Sequence, residues 1–488
     1  MKLAELTTGI GTLLEPESGE LEITSITHDS SRAQHGSIFV ALEGQETDGH
    51  EYIGAASQLG AVCVMTSNAK KVPCCIPILE VEDPRKAMAE VARRLYGYPD
   101  EQLKVIGVTG TNGKTTFTYL VSALLQSHGM AGRIGTLSYF NGLSEEKASR
   151  TTPESCDMFR LLGEMAANGC HYAALEISSH GLMYNRVRGM NLRYAVFSNL
   201  SRDHLDFHGD MESYFLAKQK QFELLVEGGS AVVNWDDPYG RRIQIPSRAG
   251  LIRFGQDKEA DLRFEVVSLG IKGSEFDVFW KGKTARLSIP LIGKHNIYNY
   301  TSALAIALSE GISLQSIVEN NKDLTAVPGR MEMLDLGQEY GVLVDFAHSP
   351  DALAKVLEAC SEVKPQKLIV VFGAGGNRDK SKRVEMGRIV DQFADVILLT
   401  SDNPRNENPE DIMDMVQEGI QRPMGDNFFR NWDRKEAIKC ALEMAGKGDM
   451  ILIAGKGHET TQEINGVHHP FNDRIIASEI IRKRGGTV

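Results

Sequence analysis

The residues best equipped for chemistry lie in Val105-Ile-Gly-Val-Thr-Gly-Thr-Asn-Gly-Lys-Thr-Thr116. A β-branched apolar run enters a loop of Gly110, Thr111, Asn112 and Gly113. Lys114, Thr115 and Thr116 then open a segment with helical spacing at Tyr119, Leu120, Ala123 and Leu124. A strand, a glycine-rich turn and a helix N-terminus together bind anions. Glycines let backbone N–H groups close round phosphates, and the helix start adds partial positive charge. Lys114 is placed to reach the β- and γ-phosphates, and Thr115 to offer its hydroxyl to Mg²⁺. The strict phosphate-loop pattern has a glycine five residues before Gly113, where this chain has Val108. The plainer alternative is an ordinary turn between strand and helix.

Further polar residues follow other predicted strands. Glu176 ends one, with Ser178, Ser179 and His180 after it, and Asn199 to His208, which includes His204, ends the next. A carboxylate and imidazoles at neighbouring strand ends can converge on a phosphate-bound Mg²⁺. That ion takes oxygen ligands and keeps waters, so histidine is its less usual partner, and capping roles are the alternative. Lys218, in the amphipathic stretch from Tyr214 to Leu225, reads by itself as a solvated lysine. A second, basic glycine-rich loop, Gly373-Ala-Gly-Gly-Asn-Arg-Asp-Lys-Ser-Lys-Arg383, contains Arg378. Asp402, Asn403, Pro404 and Arg405 follow a later strand, and Gly455-Lys-Gly-His-Glu459 another. Acids for an ammonium and arginines for carboxylates suit a zwitterionic, amino-acid-like ligand; loop salt bridges are the alternative.

The elements that must position these residues are α/β throughout. The chain of 488 residues suggests roughly three domains. Before Gly97, short strands at Ser37–Leu42, Ala61–Met65 and Ile76–Val81 precede a helix from Pro84 to Tyr96. In the middle, strands at His171–Ile177, Tyr194–Ser198 and Ser230–Asn234 alternate with helices at Pro153–Asn168 and Met211–Val226, the pattern of a doubly wound sheet. Residues 261–290 alternate as an antiparallel addition, and an Ala-rich helix runs from Tyr300 to Leu308. Beyond Pro328 the alternation resumes with strands at Val342–Phe346, Lys367–Phe372, Val396–Thr400 and Met450–Ala454. The formal net charge is −12, so nucleic acid is not an expected partner. The seven cysteines, Cys63, Cys74, Cys75, Cys156, Cys170, Cys360 and Cys440, form no C-x-x-C pair and predict reduced, mostly buried thiols. No signal peptide or membrane span is expected.

These motifs, in this order, resemble those of the Mur ligases of peptidoglycan synthesis, and among them the MurE branch, which adds the third residue of the stem peptide. The resemblance covers essentially the whole chain. It rests on Thr109–Thr116, Thr151-Thr-Pro-Glu154, Glu176–Leu182, Asn199 with Asp203-His204, Lys218, Gly293-Lys-His-Asn296, Pro328-Gly-Arg330, Asp345-Phe-Ala-His348, Asp402–Arg405 and Gly455–Glu459. It implies three domains: a smaller α/β domain for a UDP-sugar over 1–98, a central P-loop-type ATP domain over 99–327, and a Rossmann-like amino-acid domain over 328–488. It implies ATP-dependent amide formation, through an acyl phosphate, between UDP-N-acetylmuramoyl-L-alanyl-D-glutamate and meso-2,6-diaminopimelate. L-Lysine is the alternative amino acid, and a folylpolyglutamate synthase the more distant reading.

By the same resemblance, Gly110 to Thr116, with Asn296, Arg330, Asp345 and His348, contact ATP. Thr115, Glu176 and His204 lie near Mg²⁺, and Lys218 carries a CO₂-derived carbamate (N6-carboxylysine) that binds a second Mg²⁺. Lys114, Glu176, His204 and Lys218 form the catalytic set. Ser30, Gln45, Glu46, Thr47, Thr151, Thr152, Ser178, Tyr184 and Arg186 match the UDP-sugar-dipeptide site. Arg378, Asp402, Asn403, Pro404, Arg405, Gly455 and Glu459 match the diaminopimelate site. Arg150, where relatives often have Asn, and Tyr184, where some have Gln, depart from the pattern, and His28 lies in the UDP region. A cytoplasmic monomer acting on small molecules is expected.

Overall fold

The computed structural model describes residues 1–44, 47–73, 76–321 and 327–484. Gln45, Glu46, Cys74 and Cys75 lie outside them. The chain forms two compact units, Met1–Leu262 with Asn299–Ile312, and Arg263–Tyr298 with Ser313–Val488.

The first unit contains two sheets. The smaller has the order Thr12–Leu13, Ile78–Glu80, Ala61–Thr66, Ser37–Val40, Ser25–Thr27, parallel except for the first strand. The larger has Lys104–Thr109 near its centre, between Leu192–Phe197 and Tyr172–Glu176, all parallel. Leu225–Asn234 and Gly250–Gly255 extend it on one side and Ala131–Ile134 on the other. From Lys104–Thr109 the chain crosses first to one side and later to the other, so a crevice opens at the C-terminal end of that strand. Val105, Ile106 and Val108 are fully buried, because both faces of a parallel strand are covered, which is why this stretch reads as a continuous apolar run.

The helix predicted for Met211–Val226 divides. It spans Met211–Gln219, a 3₁₀ turn covers Lys220–Leu224, and Leu225 already starts the next strand. Gln221 causes the break: its buried amide donates to the carbonyls of Gly107 (3.2 Å) and Val196 (3.3 Å), tying the turn to two strands. The Ala-rich helix is longer than its apolar pattern, Lys294–Ser309.

The second unit opens with the expected antiparallel addition, Leu262–Gly270, Gly273–Trp280 and Lys283–Ile289. Its main sheet has the order Glu332–Met333, Gly341–Asp345, Met450–Ala454, Leu368–Phe372, Val396–Leu399, Phe428–Arg430, parallel except at the first strand. Alternate residues serve separate cores: Leu343, Val370 and Leu452 pack on one face, and Val344, Val371 and Ile453 on the other. A hairpin, Thr461–Ile464 with Val467–Pro470, precedes the helix Asp473–Lys483. Cys63, Cys156, Cys170 and Cys360 are buried free thiols and Cys440 is half-buried. Among the described residues no helix is long and apolar enough to cross a membrane.

Candidate active site

Gly110 and Gly113 both have positive φ, and a Cβ at either would overlap a neighbour, the Ser198 hydroxyl or the Asn299 amide. Only glycine lets the loop close this tightly. Asn199 braces it, its carbonyl accepting from Thr111 N at 2.9 Å and its Oδ1 from Asn112 N at 3.0 Å. The helix Lys114–Leu125 begins directly after Gly113, so its first N–H groups face the loop. Lys114 Nζ donates to the carbonyls of Gly110 (2.9 Å) and Thr111 (3.0 Å).

Lys218 is not the solvated lysine that its helix alone suggests. It is 1% exposed, its Nζ donates to Gly110 O at 2.9 Å, and it lies 4.6 Å from the centre of the Tyr214 ring. Burial, then the charge of Lys114, push its amine well below the usual lysine range, with Asp203 pulling the other way. The signal was its four-residue spacing from Tyr214, which puts both on the inward face of the helix. His208 stacks on the same ring at 4.9 Å and bonds Ser179 Oγ at 2.9 Å, and the ring of His204 stands 5.0 Å from that of His180. Burial, then His180, lower His208 to about 4, so it is neutral at pH 7. His204 itself is exposed, in the left-handed region, 3.4 Å from Asp203.

Glu176 is buried at its strand end. Its two oxygens accept from Thr136 N (2.8 Å) and Thr136 Oγ1 (2.9 Å), and Thr136 Oγ1 meets Thr151 Oγ1 at 3.0 Å. Thr152 Oγ1 donates to Glu176 O (2.8 Å) and meets Ser178 Oγ at 3.1 Å. Arg186 donates to Thr152 O at 3.1 Å and pairs with buried Glu154 at 2.9 Å. Arg85 (2.9 Å) and Arg150 (3.2 Å) pair with the same Glu154, and the Tyr184 ring lies about 5 Å from the guanidinium carbons of Arg85 and Arg186. Three guanidiniums around one carboxylate leave this spot positive. The structure therefore brings together Glu176, Thr151, Thr152, Ser178, Tyr184 and Arg186. Ser30 and Thr47 hydrogen-bond within their own loops.

In the second unit, buried Asp345 accepts from Met331 N and Ala347 N, each at 2.7 Å, and burial pushes its carboxyl up while Arg330 pulls it down. Arg330 and His348 both flank Phe346. Asn296 Nδ2 donates to Ile292 O. Around Asp402, Oδ1 accepts from Asn403 N at 2.7 Å, whereas Oδ2 is buried with no hydrogen-bond partner. A Cβ at Gly455 would stand 2.5 Å from that oxygen, so glycine is required there. Asn403 bonds Glu459 (2.9 Å) and Lys456 (3.0 Å), and Lys456 pairs with Glu459 at 2.8 Å. Of the two acids offered for an ammonium, Glu459 already carries one. Arg405, at φ 52°, donates to Gly376 O at 2.8 Å and pairs with Glu463 at 3.1 Å. Gly376 N donates to Asn403 O, packing the two loops and Pro404 together. Arg378 is exposed and has no ion pair among the described residues. Beneath these loops Arg434 and Asp473, both fully buried, pair at 2.7 Å, and Arg434 also bonds Ala454 O.

Three family models match along the chain: Mur ligase family, catalytic domain, at 22–96; Mur ligase middle domain at 108–307; and Mur ligase, glutamate ligase domain, at 329–457. The chain belongs to the Mur ligase family. Mur ligases are ATP-dependent amide ligases, and so is this one. A UDP-N-acetylmuramoyl-L-alanyl-D-glutamate--2,6-diaminopimelate ligase of Solibacter usitatus is 40% identical over 477 residues, 97% of this chain and 96% of its own. The ligase of that name from Chlorobaculum tepidum is 42% identical over 492 residues, again 97% and 96%. A solved structure of a ligase with that name matches at TM-score 0.73 and 32% identity, covering 100% of both chains. Folylpolyglutamate synthase of Mycobacterium tuberculosis shares the fold at TM-score 0.60 and 18% identity, over 83% of this chain and 96% of that one.

Sequence reasoning did not assign several residues of this Mur ligase. Thr136, which orients Glu176, and Arg85, which reaches Glu154 from another element, carry no local signal. Lys456 stands inside a recognised motif, and Glu463 two residues into the hairpin strand that follows; only their tertiary partners show what they do.

Proposed function

We propose that this Mur ligase joins meso-2,6-diaminopimelate to UDP-N-acetylmuramoyl-L-alanyl-D-glutamate in cytoplasmic peptidoglycan precursor synthesis. Residues 1–98 serve the UDP-sugar, 99–327 ATP and 328–488 the amino acid. The glycine loop and Lys114 hold the phosphates. The γ-phosphoryl passes to the glutamate carboxylate, the amine of the incoming amino acid attacks the acyl phosphate, and phosphate leaves from the tetrahedral centre. Positioning and charge neutralisation carry most of such a transfer. Thr151, Thr152, Ser178 and Arg186 orient the dipeptide carboxylate.

Glu176 has a lone pair to spare on each oxygen beyond its bonds to Thr136, so with Thr115 and His204 it fits a Mg²⁺ site. Mg²⁺, when bound, would neutralise the phosphoryl oxygens. The buried, depressed amine of Lys218 fits the carbamate, since the neutral amine is the form that reacts with CO₂, and the carbamate would supply an anionic ligand to a second Mg²⁺.

The observation that carries the choice of amino acid is that one short loop holds both Arg405 and the unpartnered oxygen of Asp402, a receptor for a carboxylate and an ammonium together. Diaminopimelate has both at its far end, and lysine only the ammonium. Arg405 already sits on Glu463 at 3.1 Å, so the far carboxylate of diaminopimelate adds a further charge-assisted bond to that guanidinium, of a kind that contributes about 1.5–3 kcal/mol, and lysine adds none. An amino-acid panel with UDP-muramoyl dipeptide and ATP, followed by phosphate release, tests this. The expected preference for meso-diaminopimelate over L-lysine is at least about a hundredfold in kcat/KM. Equal use of both would overturn the assignment.

A further inference from the structure

We propose that His28, Cys156 and Asp157 form a site for one soft divalent cation of the zinc class, and that its occupation blocks the UDP-sugar side of the first unit. His28 lies between the strand Ser25–Thr27 and the turn Ser30–Arg32, while Cys156 and Asp157 stand in the first turn of the helix Ser155–Ala167. His28 Nδ1 is 3.4 Å from Cys156 Sγ, across 128 residues of sequence, and Asp157 Oδ2 is 4.0 Å from the same sulfur. One donor atom from each residue lies within 4.8 Å of the other two. Tetrahedral zinc, with bonds of about 2.0–2.3 Å, holds its ligands about 3.6 Å apart, so the three donors stand near three corners of that polyhedron. A donor set of imidazole, thiolate and carboxylate favours zinc over magnesium.

The carboxylate is also held in a suitable orientation. Arg32 grips Asp157 Oδ1 at 2.6 Å, and Arg160 approaches it at 3.7 Å, leaving Oδ2 on the sulfur side. Outer partners of this kind fix the geometry of a ligand. A cation that binds takes the place of the Cys156 thiol proton. The sulfur–metal bond then forms and the proton passes to the buffer. The fourth position stays open to water. Ser30 lies two residues after His28, and Glu154, which gathers three arginines, two residues before Cys156. The blocking effect rests on the proposed UDP-sugar role of this region; cation binding does not.

Titrating the metal-free full-length protein with Co²⁺ reads the site through thiolate-to-cobalt charge-transfer absorption, without turnover. One equivalent should bind, Zn²⁺ should displace it, and excess Mg²⁺ should not. Cys156→Ser should abolish the band, and His28→Ala and Asp157→Asn should each weaken binding at least about tenfold. Melting curves identify any variant that fails to fold, and the remaining two then carry the test. A band retained in folded Cys156→Ser, or unchanged affinity in the other two, would overturn the site. UDP-muramoyl dipeptide should exclude Co²⁺; simultaneous binding would overturn the blocking effect. A different substrate for the enzyme would leave the cobalt titration unchanged.

Discussion

Around Gly110, the side-chain nitrogens of Lys114 and Lys218 donate to the same carbonyl oxygen at 2.9 Å each. Around Asp402 four cations sit on carboxylates: Arg405 on Glu463, Lys456 on Glu459, Arg383 on Glu407 and Arg434 on Asp473. Like charges held together raise the local potential and depress the more buried amine, which suits a polyanion and an amine that must react while neutral. Paired charges leave little net field and a defined geometry, which suits a ligand that is itself neutral overall but doubly charged.

Lys114 carries the largest expected effect. Lys114→Ala should lower phosphate release at least about a hundredfold without changing the melting temperature, because the cation nearest the phosphates is gone. Turnover within a few-fold of wild type would remove the polyanion reading. The same substitution should raise the Lys218 amine toward its ordinary range, read as a shift of its modification by an amine reagent to higher pH.

Lys218→Ala should be similarly inactive and partly restored by short carboxylates, which can replace a carbamate but not an ammonium. An unmodified Lys218 in the active, nucleotide-bound enzyme, seen both by intact mass and in crystallographic density, would defeat the carbamate.

On the paired side, Arg405→Ala should erase most of the roughly hundredfold preference for diaminopimelate by damaging its use and leaving lysine nearly untouched. An unchanged ratio would show that the Asp402 loop does not read the far carboxylate.

The smallest effect concerns His208. Its folded-state value of about 4 lies below the ordinary 6.5, so between these values the unfolded chain binds more protons. The stability from its neutral form is complete above about 6.5 and is lost as the pH falls toward 4. Thermal melting should therefore fall with pH across that window, and His208→Gln should flatten the slope.

Much of this was legible in the sequence where chemistry and local pattern coincide. The strands Lys104–Thr109 and Met450–Ala454 are buried on both faces and read as continuous apolar runs, and the glycines of the phosphate loop occur where backbone must approach backbone. In its helix Lys218 shows only a four-residue spacing from Tyr214, while what its amine meets depends on a loop about a hundred residues earlier in the chain, 108 positions away at Gly110. The pairings of Arg405 and Glu459 were hidden for a related reason. A sequence shows which groups carry charge, while the partner that neutralises each is chosen by tertiary approach.

The buried pair beneath the Asp402 loop also has a consequence for biosynthesis. Asp473 is made 39 residues after Arg434, a delay of roughly two to eight seconds at ordinary rates of translation. During that interval the guanidinium lacks the carboxylate that balances it, so folding of the unit would bury it unpaired, at a penalty of about 3–5 kcal/mol. The Asp402 and Gly455 loops are thus already synthesised while the carboxylate beneath them is missing. A nascent chain stalled before Asp473 should hold this unit open, as a client for chaperones and proteases.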